Sequence, residues 1–333
     1  MNKNTIIGFV LMAAVLFGYS WYVQPSEEEI AAQRKQDSIE NALRQKAEIA
    51  QKNELKAKKE QAAAAAKGDT TALFYQALNG KNEQLTLKNS KLQLTVNSHG
   101  GYVSGAKIMG FKDIKGDNDL TLFAGNEQKL NFMLAGKQTN IVTADLFFTP
   151  SNHTDSTLTL TAEAANGGQL VINYRLGQNY LVNMQVQAKG LDGIFAPNYN
   201  KVDIEWEGLC RQQEKGFTFE NRYATLTYKE KNDDSDYINE TEKVTDEPME
   251  FAIDWLAFKD QFFSSVLIPK GDIAPNSQLS SIPQEKGSGY LKQYIAKFKT
   301  DFDPTGAVPT ELEMYFGPND FQVLKAVDEE CSF

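Results

Sequence analysis

Short segments in which apolar and polar residues alternate recur along most of this chain. Clear examples are LQLTVN at 92–97, TLTLTAE at 157–163, LVINYRL at 170–176 and LVNMQVQ at 181–187. A period of two places the apolar side chains on one face of a strand, as in antiparallel sheets with one solvated face. Turn residues (Gly, Asn and Asp) separate such segments from about residue 80 to residue 317. The pattern therefore predicts a mainly β fold, a large antiparallel β-sandwich of more than about a dozen strands.

The charge and the rare residue types limit the functions that are open to the chain. Its net charge of -10 at pH 7 argues against nucleic-acid binding, because phosphates require a basic face. Cys210 and Cys331 are far apart and form neither a disulfide framework nor a zinc motif, although a single bridge between them stays open. His99, in NSHGG, and His153 are the only histidines, and both are predicted to lie in turns. No catalytic, cofactor or metal motif occurs, so the sequence predicts no active site.

An uncharged apolar run extends from Ile6 to Val23. As a helix of about 1.5 Å per residue it would be about 27 Å long, enough to cross a hydrocarbon core of about 30 Å. Lys3 precedes the run and Glu27–Glu29 follow it, so the positive-inside rule predicts that residues from about 25 onward lie outside the cytoplasm. A cleaved signal peptide is disfavoured by the bulky GYSWYVQP that ends the run. We therefore expect a transmembrane anchor at 1–24 rather than a signal peptide or a buried helix.

Two later segments are polar enough to predict that they lie outside the sandwich core. Residues 25–80 are rich in Ala, Gln, Glu and Lys, which favour helix, but their apolar residues keep no sustained heptad. This composition predicts a charged helical or disordered tether. Lys229–Glu250 is acidic and contains few core residues, and it is expected to form an exposed loop.

The segment FAIDWLAFKDQFFSSVLIP, at 251–269, is the most apolar part of the chain after the predicted anchor. Its aromatic residues include Trp255, Phe258, Phe262 and Phe263. Two interpretations are open: a pair of central strands buried in the sandwich core, or an aromatic groove for an apolar or polypeptide ligand. The buried strands are favoured. Lys259, Asp260 and Gln261 interrupt the run, so it could not span a membrane without a large cost.

The last residues, ELEMYFGPNDFQVLKAVDEECSF at 311–333, change from strand-like alternation to a helical pattern. The turn dipeptide Gly317-Pro318 separates the two parts, and Asn319 or Asp320 could cap the helix. Phe321, Leu324 and Val327 are expected on one face of it. We expect this helix, 318–333, to be the beginning of a connection to a further part of a longer protein.

These last two segments resemble the YidC family of bacterial inner-membrane protein insertases. The family carries a Trp-x-Ala-x-x-x-Gln/His-x-Phe/Tyr-Phe-x-Ser/Ala segment ending in Ile-Pro, a Tyr-x-Gly-Pro-Lys/Asn-Asp segment and an Asn-Thr-x-Gly-Gly turn. The residues that match the first two are Trp255, Ala257, Gln261, Phe262, Phe263, Ser264, Ile268, Pro269, Tyr315, Gly317, Pro318, Asn319 and Asp320, and NSHGG resembles the third. The resemblance covers the chain from the anchor to Phe333.

The resemblance implies a periplasmic β-super-sandwich of the galactose-mutarotase type at 81–317, followed by a helix that connects to a second transmembrane segment. It implies insertion without nucleotide, metal or other cofactor. The implied partners are the Sec translocon, SecDF, nascent membrane proteins and the bilayer of the inner membrane. The intramembrane groove of the family would lie outside this chain, so no catalytic residue is expected in it. Phe321, Leu324 and Val327 would couple the sandwich to the membrane core.

Two alternatives are open. One is a plain anchored scaffold domain with no insertase attached. The other is a membrane-anchored carbohydrate-binding or aldose-epimerase-like β-sandwich, since the same architecture serves such enzymes. Those enzymes use histidines and a carboxylate around a sugar ring. His99 and His153, each predicted to lie in a turn, make such a site difficult to build.

Overall fold

A computed structural model of the chain describes residues 68–196, 198–238 and 245–331. All of them belong to one compact unit, Ala66–Phe333. The predicted anchor, Ile6–Val23, and most of the predicted tether lie outside the described residues. Within the described ranges, no helix combines the length and apolarity needed to cross a membrane.

The described part consists mainly of strands joined by turns, with three α-helices. The strands are β1 Gln84–Lys88, β2 Leu92–Asn97, β3 Val103–Lys112, β4 Asp119–Phe123, β5 Gln128–Leu134, β6 Ile141–Val142, β7 Thr149–Ser151, β8 Thr157–Glu163, β9 Gln169–Leu176, β10 Leu181–Lys189, β11 Lys201–Arg211, β12 Thr225–Glu230, β13 Ser235–Ile238, β14 Thr245–Met249, β15 Ile253–Lys259, β16 Phe263–Pro269, β17 Ser277–Pro283, β18 Tyr290–Asp301 and β19 Thr310–Pro318. The helices are α1 Tyr75–Leu78, α2 Phe217–Tyr223 and α3 Phe321–Cys331. Short 3₁₀ turns lie at Thr143–Asp145 and Asp192–Ile194.

The strands form three sheets in which every described pairing is antiparallel. A four-stranded sheet has the order β1-β2-β3-β4, and a six-stranded sheet has the order β14-β17-β18-β11-β5-β6. The largest sheet has nine strands in the order β13-β12-β15-β16-β19-β10-β9-β8-β7. The prediction of a mainly β, antiparallel fold is therefore confirmed.

Both smaller sheets pack against the same face of the nine-stranded sheet. Phe258, Ser265 and Phe316 are direct neighbours across β15, β16 and β19, so their side chains share one face. Trp206 of β11 stacks on Phe258, with ring centroids 3.7 Å apart. Phe123 of β4 meets Phe316 edge to face at 5.4 Å. These buried aromatic contacts join the three sheets into one sandwich core.

The NSHGG segment forms the tight turn between β2 and β3 that the sequence predicts. Gly100 and Gly101 have φ angles of 86° and 67°, a region that glycine occupies without steric cost. A Cβ on Gly101 would lie 2.6 Å from a methyl carbon of Ile172, so this turn also needs glycine to approach the nine-stranded sheet. His99 lies half-buried in the turn with its ring stacked on Phe147 at 4.0 Å.

The polar segment Lys229–Glu250 is more ordered than the loop predicted for it. β13 pairs with β12 as a hairpin, with Leu226 opposite Ile238, and β14 pairs with β17. Both strands lie at sheet edges, where one side of the strand faces solvent, so a polar composition is compatible with pairing. Residues 239–244 lie outside the described part.

The last residues of the predicted tether, 25–80, belong to the folded unit. Phe74 and Leu78, within or next to α1, are buried in the core. The backbone N–H of Phe147 donates to the carbonyl of Ala77 at 2.7 Å, which fixes α1 to the domain. The described fold therefore begins before β1.

Candidate functional site

The turn between β15 and β16 is organised by the carboxylate of Asp260. Its Oδ1 accepts hydrogen bonds from the backbone N–H groups of Phe262 and Phe263, at 2.7 and 2.6 Å. Only 2% of Asp260 is exposed. Burial raises the pKa of this carboxyl to about 7, against the opposing effect of the two N–H donors. The turn thus contains a buried acid with a pKa near neutrality.

Asn319 attaches the end of β19 to this turn. Its backbone N–H donates to the carbonyl of Phe262 at 2.6 Å, and its Nδ2 donates to the carbonyl of Asp260 at 3.2 Å. The Ser264 hydroxyl donates to the Oδ1 of Asn319 at 2.5 Å. The side chain is half-buried. Three hydrogen bonds from a single residue therefore fix the chain just before α3 begins.

The residues before Asn319 hold the end of β19 in place. The Tyr315 hydroxyl donates to the carbonyl of Pro318 at 2.6 Å, and Tyr315 is almost completely buried. At Gly317 an added Cβ would lie 2.5 Å from that hydroxyl and 2.8 Å from the Tyr180 ring. Pro318 is paired with Phe263 at the end of the β16–β19 ladder. Glycine is therefore required here by the close approach of two tyrosines.

Asp320 is the N-cap of α3. Its Oδ1 accepts from the backbone N–H groups of Gln322 and Val323, at 2.9 and 3.1 Å. This satisfies two of the N–H groups that a helix leaves unpaired at its start, and the negative charge suits the helix dipole. Of the two residues that the sequence offered as cap, Asp320 has this function and Asn319 attaches the helix to the sheet.

The buried face of α3 differs from the expected one. Val327 is buried and Val323 half-buried, whereas Phe321 is 74% exposed and Leu324 is 37% exposed. Val323 and Val327 are four residues apart and so lie on one side of the helix. Phe321 and Leu324 therefore do not share the buried environment of Val327 within the described domain. The coupling function expected of the three residues remains a prediction.

The four aromatic residues singled out near the β15–β16 turn do not share one environment. Phe258 and Phe263 are buried, Trp255 is half-buried, and Phe262 is 45% exposed at the turn. β15 and β16 lie inside the nine-stranded sheet, with neighbours on both sides. Central strands thus explain Phe258 and Phe263 but not the exposed ring of Phe262.

A narrow crevice opens beside Asp260, between the nine-stranded and six-stranded sheets. Its volume is about 20 Å³, room for about one water molecule, and it is lined in part by Gln128, Cys210 and Tyr294. Ligand pockets have volumes of about 300–1,000 Å³, so the crevice is too small to hold a ligand of that kind. Burial raises the pKa of the Cys210 thiol well above its usual range, so the thiol is held in its unreactive protonated form. Cys331, the other cysteine, has no described side chain.

The two histidines lie in separate turns. His99 stacks on Phe147, and His153 Nε2 is 2.9 Å from the carbonyl of Thr86 on β1. Neither residue lines the crevice beside Asp260. Within the part of the chain that the structure describes, no group of His, Cys, Asp and Glu has the arrangement of a metal site.

Sequence comparison finds relatives along almost the whole chain. The YidC periplasmic domain family matches residues 84–331. The membrane protein insertase YidC of Phocaeicola vulgatus is 43% identical over 329 residues, which are 97% of this chain and 52% of that protein. That of Bacteroides fragilis is 40% identical over 337 residues, covering 99% of this chain and 53% of that protein. The chain thus spans about half the length of the curated relatives it matches.

Solved structures with a partly similar fold include a galactose mutarotase-like protein from Lactobacillus casei and the periplasmic domain of Thermotoga maritima YidC. The first has a TM-score of 0.45 and 14% identity, covering 71% of this chain and all of the other. The second has a TM-score of 0.34 and 10% identity, covering 73% of this chain and 87% of the other. The family match over most of the chain and the identity of 43% to a curated relative show that the chain belongs to the YidC family and carries its periplasmic domain.

Proposed function

We propose that this chain is the periplasmic portion of an inner-membrane protein insertase, which helps integral membrane proteins to insert and fold. Its relatives at 43% and 40% identity are named membrane protein insertases, which supports this function. In this proposal, Ile6–Val23 anchors the chain in the inner membrane and residues from about 25 onward lie in the periplasm. The partners are nascent membrane proteins, the Sec translocon and SecDF.

Within this function, the described domain fixes the direction in which α3 leaves the sandwich. The three hydrogen bonds of Asn319 carry this proposal, because they attach the residue before the helix cap to a turn between two central strands. A helix attached in this way transmits the orientation of the sandwich to whatever follows it. Phe321, Leu324 and Val327 are the residues of α3 that couple the sandwich to the part that follows it. Val327 is packed on the domain and the other two are exposed.

The test is an insertion assay with Asn319→Ala in the complete insertase. The substitution removes the two side-chain hydrogen bonds at the junction, and we expect insertion to fall several-fold. Asn173→Ala is the matched control, since Asn173 is also half-buried and accepts one side-chain hydrogen bond, from Thr159 at 2.9 Å on β8. Equal insertion by the two variants would contradict the proposal.

We also propose that the domain acts by binding and positioning rather than by catalysis. Two observations support this view. His99 and His153 contact different parts of the domain and do not share a site, and burial raises the pKa of Cys210, which keeps the thiol protonated. An aldose-epimerase assay of the purified chain tests the rival enzyme function. Activity that disappears in His99→Ala would overturn the proposal.

A further inference from the structure

Five apolar side chains remain in contact with solvent at the end of the sandwich where α3 begins. They are Phe111, Ile114, Phe262, Phe321 and Leu324, which are between 37% and 74% exposed. We refer to them as the apolar rim. Burying a side chain such as Phe or Leu stabilises a fold, so leaving several of them partly in water forgoes stability. Exposed apolar side chains that cluster are a mark of an interaction surface.

Contacts between three elements bring the apolar rim together. The ring of Phe111, at the end of β3, meets the ring of Phe263 edge to face at 5.3 Å. Phe262, the residue before Phe263, accepts the backbone hydrogen bond of Asn319 at 2.6 Å. Phe321 follows Asn319 by two residues. The β3–β4 hairpin, the β15–β16 turn and the first turn of α3 are therefore neighbours.

The hairpin tip of the apolar rim combines apolar and basic residues. Phe111, Lys112, Ile114 and Lys115 are all exposed. Asp113 faces its own loop, where its Oδ1 accepts from the backbone N–H groups of Lys115 and Asp117, each at 3.2 Å. Lys112 is paired with Asp119 at 3.4 Å, with more than half of its side chain still exposed. The tip thus presents the apolar side chains of Phe111 and Ile114 beside two ammonium groups, together with the carboxylates of Asp113, Asp117 and Asp119.

We propose that the apolar rim docks on the surface of a lipid bilayer. Apolar side chains next to lysines are the composition that binds the boundary between headgroups and acyl chains. The membrane is within reach because the chain belongs to a family of membrane proteins and carries the predicted anchor Ile6–Val23. Phe111, Phe262 and Phe321 enter the boundary, while Lys112 and Lys115 remain at the level of the lipid phosphates. The sandwich then stands on the bilayer with the start of α3 facing it.

Tryptophan fluorescence in nanodiscs tests this contact in the complete chain. Phe111→Trp, Phe262→Trp and Phe321→Trp each place a fluorophore at an exposed position of the apolar rim. The chain is reconstituted with phosphatidylglycerol-containing lipids, with and without brominated acyl chains, and the emission of the parent chain is subtracted. Since interfacial segments enter about 5–10 Å into the boundary, brominated lipid should reduce the added emission at least about twofold.

Val308→Trp is the matched control. Val308 is 64% exposed and lies close to the first residue of β19. The apolar rim lies near the opposite end of this strand, where α3 begins. The nine residues of β19 separate the two ends by about 27 Å at about 3.4 Å per residue, so the control should not be quenched. Quenching at the three rim positions that is no greater than at Val308 would overturn the proposal. If the apolar rim binds only a partner protein, quenching at the three rim positions should equal that at Val308.

The inference relies on the proposed function only for the membrane location of the chain, and its readout is independent of insertion. Quenching of the rim variants together with normal insertion by Asn319→Ala would support bilayer docking and reject the coupling function. The reverse combination would reject docking and retain coupling. Lys112→Glu with Lys115→Glu should weaken quenching on anionic but not on neutral lipid if the ammonium groups contact phosphates.

Discussion

The hydroxyl of Ser264 donates a hydrogen bond of 2.5 Å to the Oδ1 of Asn319, a residue 55 positions later in the chain. Ser264 lies at the beginning of β16, directly after the Asp260 turn. Asn319 lies between the end of β19 and the helix cap Asp320. This contact is one of several that join the two sequence segments that resemble the YidC family. It makes the beginning of α3 a part of the sandwich.

Removing the Ser264 hydroxyl should loosen α3 before it unfolds the domain. Ser264→Ala leaves the Oδ1 of Asn319 without its hydrogen-bond donor. We expect a loss of about 1 kcal/mol in the free energy of unfolding. Amide hydrogen exchange at Gln322 to Leu324 should become faster, because the residue that precedes the cap is less well held. Urea unfolding and exchange measured by mass spectrometry give the two values.

Ser265→Ala provides the control for that prediction. Ser265 is the next residue of β16, and its hydroxyl donates to Gln128 in the six-stranded sheet at 3.4 Å. Its loss should affect stability without changing exchange in α3. Faster exchange in α3 of both variants to the same extent would mean that the effect is global.

The buried carboxyl of Asp260 should make the stability of the domain depend on pH. Its pKa is about 7 in the folded state and 3.8 in the reference state, so folding favours the protonated form. The stabilisation from protonation is complete below the reference pKa and is lost as the pH rises from about 4 to about 7. The difference of about three units corresponds to a loss of the order of 4 kcal/mol over that range. Urea unfolding between pH 4 and pH 8 measures it.

Asp260→Asn should remove this dependence. The amide oxygen of asparagine can accept the same two N–H groups of Phe262 and Phe263, and it carries no charge to desolvate. The variant should therefore equal or exceed the parent protein in stability at pH 8. Burial also raises the pKa of Glu220, which adds a dependence of the same sign that the variant retains. An unchanged slope in Asp260→Asn would show that Asp260 ionises without cost.

The two sides of α3 should respond differently to substitution. Val327→Ala removes two methyl groups from a buried position and should lower the free energy of unfolding by roughly 1–3 kcal/mol. Phe321→Ser alters an exposed ring and should change stability by less than about 0.5 kcal/mol. In the complete insertase, Phe321→Ser should nevertheless reduce insertion. Normal insertion by this variant would exclude a role for the exposed side of α3.

Much of the fold could be predicted, because the alternation of apolar and polar residues along a strand indicates which of its side chains are buried. Leu92, Leu94 and Val96 are all buried on one face of β2, as the period of two indicates. The helix at the end could be predicted from Gly317-Pro318 and the capping residues. The edge strands β13 and β14 could not, since strands with solvent on one side can be polar and leave no apolar pattern.

The site itself was only partly visible in the sequence. Both segments that meet at Asn319 stood out, one by its aromatic residues and the other by its turn. Their contact depends on the pairing of β16 with β19, which no local pattern encodes. The buried side of α3 could not be read from its pattern, because the apolar residues Phe321, Val323, Leu324 and Val327 occur on more than one side of the helix. Only packing selects Val323 and Val327.

The central claim is that the sandwich fixes the direction of α3, and a flexible insertion tests it most directly. Gly-Ser-Gly placed between Asn319 and Asp320 leaves every hydrogen bond of Asn319 and the helix cap able to form, while it removes the rigid link between them. The same three residues placed after Ala307, in the exposed loop before β19, serve as the control. We predict that both variants of the complete insertase remain folded and that only the insertion after Asn319 abolishes membrane-protein insertion. Normal activity of that variant would contradict the account.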